Sequence, residues 1–225
     1  MFFGCDKLKT VKLPSGMSQL NPSAFDKCRK LSKMTIPSKC KSFSVMDKCI
    51  VNNKDKSLVF CYASDKKYNI PKGVKVLKKN SFVGCRSKSI HIPASVKKIE
   101  GATFEDSYGK TLGKIHDVTV AKNNKIYARD GYTIYNKKDK TLSIAIAAYN
   151  KKNEEYTYVM SNKVKRLTKE QNLVNIYASL YGKALDKVYM SKKLKTNLSL
   201  LIFMQEKKML CWSRLVLLIA ENLKM

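Results

Sequence analysis

The sequence predicts a mainly β fold, a solenoid of short strands and turns in which each coil repeats the one before it. Two observations predict this class. Blocks of sequence recur at a fixed offset near the start of the chain, and apolar residues inside each block alternate with polar ones. Alternation over a few residues indicates a strand with one buried face. Recurrence at a period of roughly 20–50 residues indicates stacked repeats.

The clearest repeat joins residues 2–17 to residues 25–40. Three pairs match at the same offset: Cys5 and Cys28, Leu8 and Leu31, and Pro14 and Pro37. The same order returns at residues 82–96, one residue shorter between the cysteine and the strand. Weaker copies lie at 70–77, 160–167 and 190–194, and Ser replaces Pro in the last two. Three clear copies make coincidence a poor explanation.

Each element of the repeat has a physical reading. Five apolar pairs predict strands: Val11/Leu13, Met34/Ile36, Ile90/Ile92, Val118/Val120 and Val188/Met190. A proline after the strand has no backbone donor, so it ends the ladder and starts a turn. Phe25, Cys28 and Leu31 are spaced by three, which predicts a short helix or 3₁₀ turn. The predicted repeat core is Phe3, Cys5, Leu8, Phe25, Cys28, Leu31, Phe82, Cys85 and Phe104.

A second duplication relates residues 50–58 to residues 134–142 without an insertion or deletion. Each copy consists of two short strand-like runs around a turn rich in Asn, Asp and Lys, which is typical of a β-hairpin. We therefore expect hairpin insertions near 46–69 and 121–157.

These residues resemble a known family. The order Phe-x-Gly-Cys-x-x-Leu, then a Val-x-Leu-Pro strand, is similar to the leucine-rich repeat of the BspA-like class of bacterial surface proteins. The resemblance covers residues 1–196 and implies a leucine-rich-repeat solenoid. It also implies a secreted or cell-surface parent that adheres to host or neighbouring-cell macromolecules.

Two departures from the family pattern stand out. Met1 occupies the place where the family has Ala before Phe, so we expect the chain to be a fragment that opens within a repeat. The repeat register disappears from about Asn197, and the single tryptophan, Trp212, falls in this stretch. Residues 197–225 are therefore expected to form a divergent tail, which is either a helical C-terminal cap or the product of an altered reading frame.

The formal net charge of the chain is +28, with 45 Lys plus Arg against 17 Asp plus Glu. Lysines fall on turns and on polar strand positions, and stacking would align Lys7 with Lys30 in a charged stripe that attracts polyanions. The alternative is a solvated basic surface without a ligand. Tyr132 and Tyr135 lie on the second predicted hairpin, where they could contact sugars or a protein partner; cross-strand packing explains them equally well.

The sequence disfavours several other classes. Its two histidines, His91 and His116, have no catalytic partner in a recognisable motif, so we expect no enzyme activity. The seven cysteines include no Cys-x-x-Cys pair, which argues against a metal site and a disulfide framework, and no cofactor is expected. No apolar run is long enough for a membrane span. We recognise no secretory signal at the start of the chain.

The predicted function is therefore a non-enzymatic repeat surface protein that binds host or cell-surface proteins or acidic glycans. One alternative is a structural stalk module of a larger surface protein. Another is an electrostatic binder of polyanions or nucleic acid, although no helix-turn-helix, RRM or zinc-finger pattern supports nucleic acid. The sequence leaves the ligand and the oligomeric state open.

Overall fold

The computed structural model describes residues 2–104, 115–146, 148–150, 155–167, 172–174, 187–190 and 216–219. These residues form strands and one 3₁₀ helix, Pro22–Phe25, and none of their helices is long and apolar enough to cross a membrane. The strands are β1 (Thr10–Lys12), β2 (Lys33–Thr35), β3 (Phe43–Met46), β4 (Cys49–Asn52), β5 (Ser57–Cys61), β6 (Lys67–Asn69), β7 (Val76–Leu77), β8 (Ser89–Ile92), β9 (Lys98–Ile99), β10 (Asp117–Val120), β11 (Tyr127–Asp130), β12 (Thr133–Asn136), β13 (Leu142–Ile146), β14 (Ala148–Asn150), β15 (Glu155–Val159), β16 (Asn172–Val174), β17 (Lys187–Met190) and β18 (Val216–Ile219). The predicted mainly β solenoid is confirmed.

The first column of the solenoid is made of parallel strands, one from each coil. β1 pairs with β2, β8 lies between β6 and β10, and β17 lies between β15 and β18. Ile90 and Ile92 of β8 are fully buried, whereas Ser89 and His91 face outward. The predicted alternation is therefore present, because only one face of each strand packs on the core.

A second parallel column runs through β5, β7 and β9, and again through β13 and β16. The strands β7 and β9 are very short, Val76–Leu77 and Lys98–Ile99, with Leu77 and Ile99 buried. Strands of this length are too short to show an alternating pattern, and so the sequence indicated no strand here.

The turn after the first-column strand has the same geometry in several coils. The carbonyls of Pro37, Pro71 and Pro93 each accept a hydrogen bond from the N–H three residues later. Ser161 replaces proline in a weaker copy, and its carbonyl accepts in the same way from Val164. The ring of proline is therefore not needed to form the turn. Because proline has no backbone N–H, its additional effect is to end the hydrogen-bond ladder of the strand.

The stretch from Phe25 to Leu31, where a short helix or 3₁₀ turn is predicted, forms 3₁₀-type turns in which the Cys28 and Leu31 N–H groups donate to the carbonyls three residues earlier. The 3₁₀ helix itself lies just before this stretch, at Pro22–Phe25. Asn21 precedes it, and its side-chain oxygen accepts a hydrogen bond from the Ser23 N–H at 3.0 Å. This contact satisfies one of the donors that a helix start leaves unpaired. The helix delivers Phe25 into the core, where 2% of its surface is exposed.

The two inserted hairpins are structural copies of one another. β3, β4 and β5 form an antiparallel meander, and β11, β12 and β13 form the same meander later in the chain. The strand register breaks at Ile50/Val51 in the first copy and at the equivalent Ile134/Tyr135 in the second. The predicted pair of strands is present in each copy, together with a third strand, β3 or β11, that precedes the duplicated segments 50–58 and 134–142.

The first hairpin lies between two hydrophobic clusters and contributes residues to both. Ile50 and Phe60 pack in a cluster with Phe25 and the N-terminal coils, whereas the neighbouring Val51 and Leu58 pack in a second cluster with later coils. Every residue of β5 is buried. Burial on both faces explains why this strand is a continuous apolar run rather than an alternating one.

The stacking of aromatic rings between coils shows that one predicted core residue of the first coil is wrong. Phe25 stacks on Phe2 with ring centroids 5.5 Å apart, and Phe82 stacks on Phe104 at 4.9 Å. Phe3 instead is 43% exposed, so the prediction that it is a core residue is wrong. With the offset that relates Cys28 to Cys5, Phe25 is equivalent to Phe2 and not to Phe3. An alignment error of one position therefore assigned the wrong phenylalanine to the core.

Cys5 is also exposed, contrary to the prediction, whereas Cys28 and Cys85 are buried. Among the described strands, β1 of this coil pairs only with β2, so nothing described covers its other side. Leu8 is half-buried against the N-terminal cluster, and Leu31 in the next coil is fully buried.

The tail expected at 197–225 is described only at β18. This segment is a strand that pairs in parallel with β17, from Val216 opposite Lys187 to Ile219 opposite Met190. The helix expected in the tail is therefore not present in its described part, because backbone pairing with the preceding coil competes with helix formation. The other tail residues lie outside the described residues, and the boundary at 196 stays a prediction.

Replacing Phe25 by Ala should lower the free energy of unfolding by about 3–5 kcal/mol, since it leaves a cavity in the core. The matched change Phe3→Ala should cost less than about 1 kcal/mol, because that ring is exposed and has the Lys27 ammonium above it. Urea denaturation of both variants measures the difference. Equal losses would show that Phe3 is a core residue after all.

Candidate binding surfaces

The outward face of β6, β8 and β10 carries polar side chains in register across the three strands. Two rungs of side chains cross the three strands: Lys67, Ser89 and Asp117 in one, and Asn69, His91 and Thr119 in the other. His91 Nδ1 lies 2.9 Å from Thr119 Oγ1, and Ser89 Oγ donates to Asp117 Oδ2 at 3.5 Å. We call these two rungs the sheet face. Buried isoleucines and valine beneath hold it in place.

The second hairpin borders the sheet face. Arg129 of β11 donates from Nη1 to Asp117 Oδ1 at 2.6 Å and to the Val118 carbonyl at 2.9 Å. Its Nε donates to the carbonyl of Gly131 in the hairpin turn, and the next residue, Tyr132, is 43% exposed. The sequence did not single out Arg129, because its partner Asp117 is distant in the chain and lies on another element.

The two tyrosines predicted as contact residues behave differently. Tyr132 projects from the turn, whereas Tyr135 is 9% exposed. The Nζ atom of Lys140 lies 5.6 Å from the centre of the Tyr135 ring, and Tyr135 is opposite Ala128 in the neighbouring strand. The expectation that Tyr135 presents a binding surface is wrong, because cross-strand packing and the lysine cover it.

Lys7 and Lys30 are both exposed, in consecutive coils. The coils are linked nearby, where the Ser32 N–H donates to the Lys9 carbonyl at 3.0 Å. Their alignment in a charged stripe stays a prediction.

Burial lowers the pKa of His91 below its ordinary value, and the nearby positive charge of Lys67 lowers it further. The imidazole is therefore neutral near pH 7. Its described hydrogen-bond partner is a threonine hydroxyl rather than a carboxylate. An acid that orients the ring is the usual third member of a catalytic triad, so this pair links neighbouring strands rather than forming a triad.

Five thiols are buried: Cys28, Cys40, Cys49, Cys61 and Cys85. Burial raises the pKa of the Cys49 thiol to about 12 and raises that of Cys61 well above its ordinary value. The thiols of Cys49 and Cys61 therefore stay protonated and unreactive at neutral pH. In the described ranges, no group of three His, Cys, Asp or Glu side chains is arranged to hold a metal ion.

A groove of 560 Å³ lies between the 3₁₀-helix region and the first hairpin, with Leu20 and Phe43 among its apolar residues. Its charged wall is internally paired. Lys78 Nζ lies 3.1 Å from Glu100 Oε1 and 3.8 Å from Asp55 Oδ2. The acidic and basic groups therefore offset each other, and the groove favours no particular ligand charge.

The sequence profile described as "BspA type Leucine rich repeat region" matches residues 1–53 and 54–128, in six copies. This is more than half of the chain. The chain belongs to the BspA-type leucine-rich-repeat family. The resemblance seen in the sequence is thereby confirmed, and β1–β10 of the columns described above lie within the matched repeats.

Solved structures of bacterial leucine-rich-repeat proteins are similar to this chain. A leucine-rich repeat protein from Eubacterium ventriosum matches with a TM-score of 0.51 and 21% identity, over 84% of this chain and 49% of that one, and it shares the fold. A leucine rich cell surface protein from Faecalibacterium prausnitzii matches with a TM-score of 0.47 and 12% identity, over 83% of this chain and 43% of that one. This chain therefore spans less than half of each. No curated protein is a significant match.

Thiol labelling tests the burial of the cysteines. In a Cys211→Ser background, which removes a residue outside the described ranges, one thiol should react rapidly in the native protein. That thiol is Cys5, because reaction requires exposure. The buried thiols should react only when the chain unfolds. Cys5→Ser should abolish the rapid phase, and rapid labelling of Cys28 or Cys85 would contradict the structure.

Proposed function

We propose that this BspA-type repeat domain is a non-enzymatic binding module of a cell-surface protein, which attaches to macromolecules of a host or a neighbouring cell. The observation that supports it most is the sheet face with Tyr132 at its border. The family resemblance supports the surface location of the parent protein.

The geometry of the sheet face suits protein binding for a physical reason. Its side chains stand on strands and are held by hydrogen bonds such as His91 to Thr119, so they lose little conformational entropy when a partner binds. Tyr132 adds a large amphipathic ring beside this polar surface. Exposed tyrosines of this kind are frequent anchors of protein interfaces.

A structural stalk is the second candidate, and one observation favours it. The charged groups at the border of the sheet face already pair with each other, since Arg129 binds Asp117. A surface that satisfies its own polar groups has less to gain from a partner.

Binding to immobilised extracellular-matrix protein at low and high salt separates these functions. Tyr132→Ala should weaken the salt-resistant part of binding by at least tenfold, because it removes a contact that excludes water. Phe3→Ala is the matched control, since Phe3 is an equally exposed aromatic on another coil; it should change affinity less than twofold.

Tyr132→Phe should retain most of the binding, because the ring remains. Loss of all binding at moderate salt, together with no effect of Tyr132→Ala, would contradict the proposed function and favour the stalk.

A further inference from the structure

Five lysines occupy one equivalent position in the second column of strands. Each stands immediately before a strand or bridge of that column, and we call the set the lysine ladder: Lys56, Lys75, Lys97, Lys140 and Lys165. Backbone hydrogen bonds join its members in two groups, Lys56 with Lys75 and Lys97, and Lys140 with Lys165. The Lys75 N–H donates to the Lys56 carbonyl at 2.9 Å, and the Lys97 N–H donates to the Lys75 carbonyl at 2.7 Å. Around the second hairpin, the Lys165 N–H donates to the Lys140 carbonyl at 2.9 Å.

The charges of the lysine ladder are not neutralised locally. Four of the five side chains are exposed, and Lys140 is half-buried. Among the described residues, no carboxylate lies within 4.0 Å of any of their Nζ atoms. Like charges on adjacent strands repel each other and destabilise the sheet. The fold therefore carries a row of cations without a described carboxylate partner, and only the contact of Lys140 with the Tyr135 ring, described above, offsets part of one charge.

Two lysines of the ladder also have an unfavourable backbone conformation. Lys56 has φ 57° and Lys140 has φ 59°, in the left-handed region. Gly adopts this conformation without strain, and Asn adopts it more readily than other residues. Both copies of the hairpin nevertheless have lysine at this equivalent position. A strained backbone that keeps a particular side chain is an indication that the side chain has a role.

We propose that the lysine ladder binds a linear acidic polysaccharide laid along the stack of coils, with its sulfate or carboxylate groups against successive ammonium groups. The proposal rests on the proposed function in taking the chain to be a binding module, but it uses a surface separate from the sheet face.

The spacing and chemistry of the ladder favour a polysaccharide. Adjacent strands lie about 4.8 Å apart, which is close to the length of one hexose unit, so a glycan can present acidic groups in step with the coils. Lysine supplies point charges, which suit mobile sulfate groups and lack the rigid fork with which arginine recognises phosphate.

Single-stranded nucleic acid fits the ladder less well, because its binding sites combine positive charge with aromatic rings that stack on bases. The aromatic ring described beside a ladder lysine is that of Tyr135, next to Lys140. It is buried and so offers no exposed face to a base.

The test measures heparin-oligosaccharide affinity of the full chain across a range of salt concentrations. The triple variant Lys56→Gln, Lys75→Gln, Lys97→Gln should lose at least tenfold in affinity. The slope of log affinity against log salt should fall by about one for each lysine removed. The matched variant Lys39→Gln, Lys41→Gln, Lys122→Gln removes the same charge from exposed sites outside the ladder and outside the predicted Lys7 and Lys30 stripe, and it should lose less than threefold.

A second variant excludes unfolding as the cause. Lys56→Gly with Lys140→Gly removes two ladder charges and relieves the left-handed strain, so its thermal midpoint should be unchanged or higher while its heparin affinity falls at least fourfold. Retention of heparin affinity in this variant would contradict the proposal.

Three further results would overturn it: no binding of heparin oligosaccharide, equal losses in the two triple variants, or tighter binding of poly-dT of the same charge through the ladder. Failure of the proposed function is separately visible, because matrix-protein binding at high salt depends on Tyr132 and should survive in the ladder variants.

Discussion

Backbone hydrogen bonds between consecutive coils are the interaction on which the rest of this structure depends. The N–H groups of Leu13, Ile70 and Ala121 each donate to a carbonyl of the adjacent coil, at 2.9–3.0 Å. One coil of about 20–30 residues exposes its apolar face until a neighbour covers it, so neither the pairing nor the core exists in a single repeat. The same bonds align equivalent residues of successive coils, which creates both the sheet face and the lysine ladder.

The inserted hairpins are integral parts of the stack of coils, because they contribute strands and core residues to it. β5 is buried on both faces and begins the second column, so the first hairpin joins two hydrophobic clusters. The fit is close at Gly84, where an added Cβ would lie 2.7 Å from Phe60 Cε2 and 2.9 Å from the Cys61 carbonyl oxygen. Glycine is needed there for space, because the later coil packs directly on the hairpin. In a fold of this kind, exposed residues at one repeat position of successive coils form a row on the surface.

Much of the fold could be predicted from the sequence, since strands, turns and hairpins depend on local patterns. What escaped prediction depends on contacts between coils. Asn124 lies in a polar Asn-Asn-Lys run but is fully buried, and its Nδ2 donates to the carbonyls of Pro93 and Val96 in the preceding coil. Tyr135 is covered and Tyr132 is not, because strand pairing decides which way each faces. Of the candidate site, the sequence therefore indicated Tyr132 but neither the polar rungs of the sheet face nor Arg129, because these depend on pairing between coils.

Native-state hydrogen exchange tests the central claim, that bonds between coils hold the stack, most directly. The amides of Leu13, Ile70 and Ala121 should exchange far more slowly than those of Lys72 and Lys122, which lie in the exposed turns that follow two of these strands. Ile70 and Ala121 donate to the same strand from opposite sides, so both should show strong protection in the native chain. Exchange of Ile70 and Ala121 as fast as Lys72 and Lys122 would contradict the stacked-coil account.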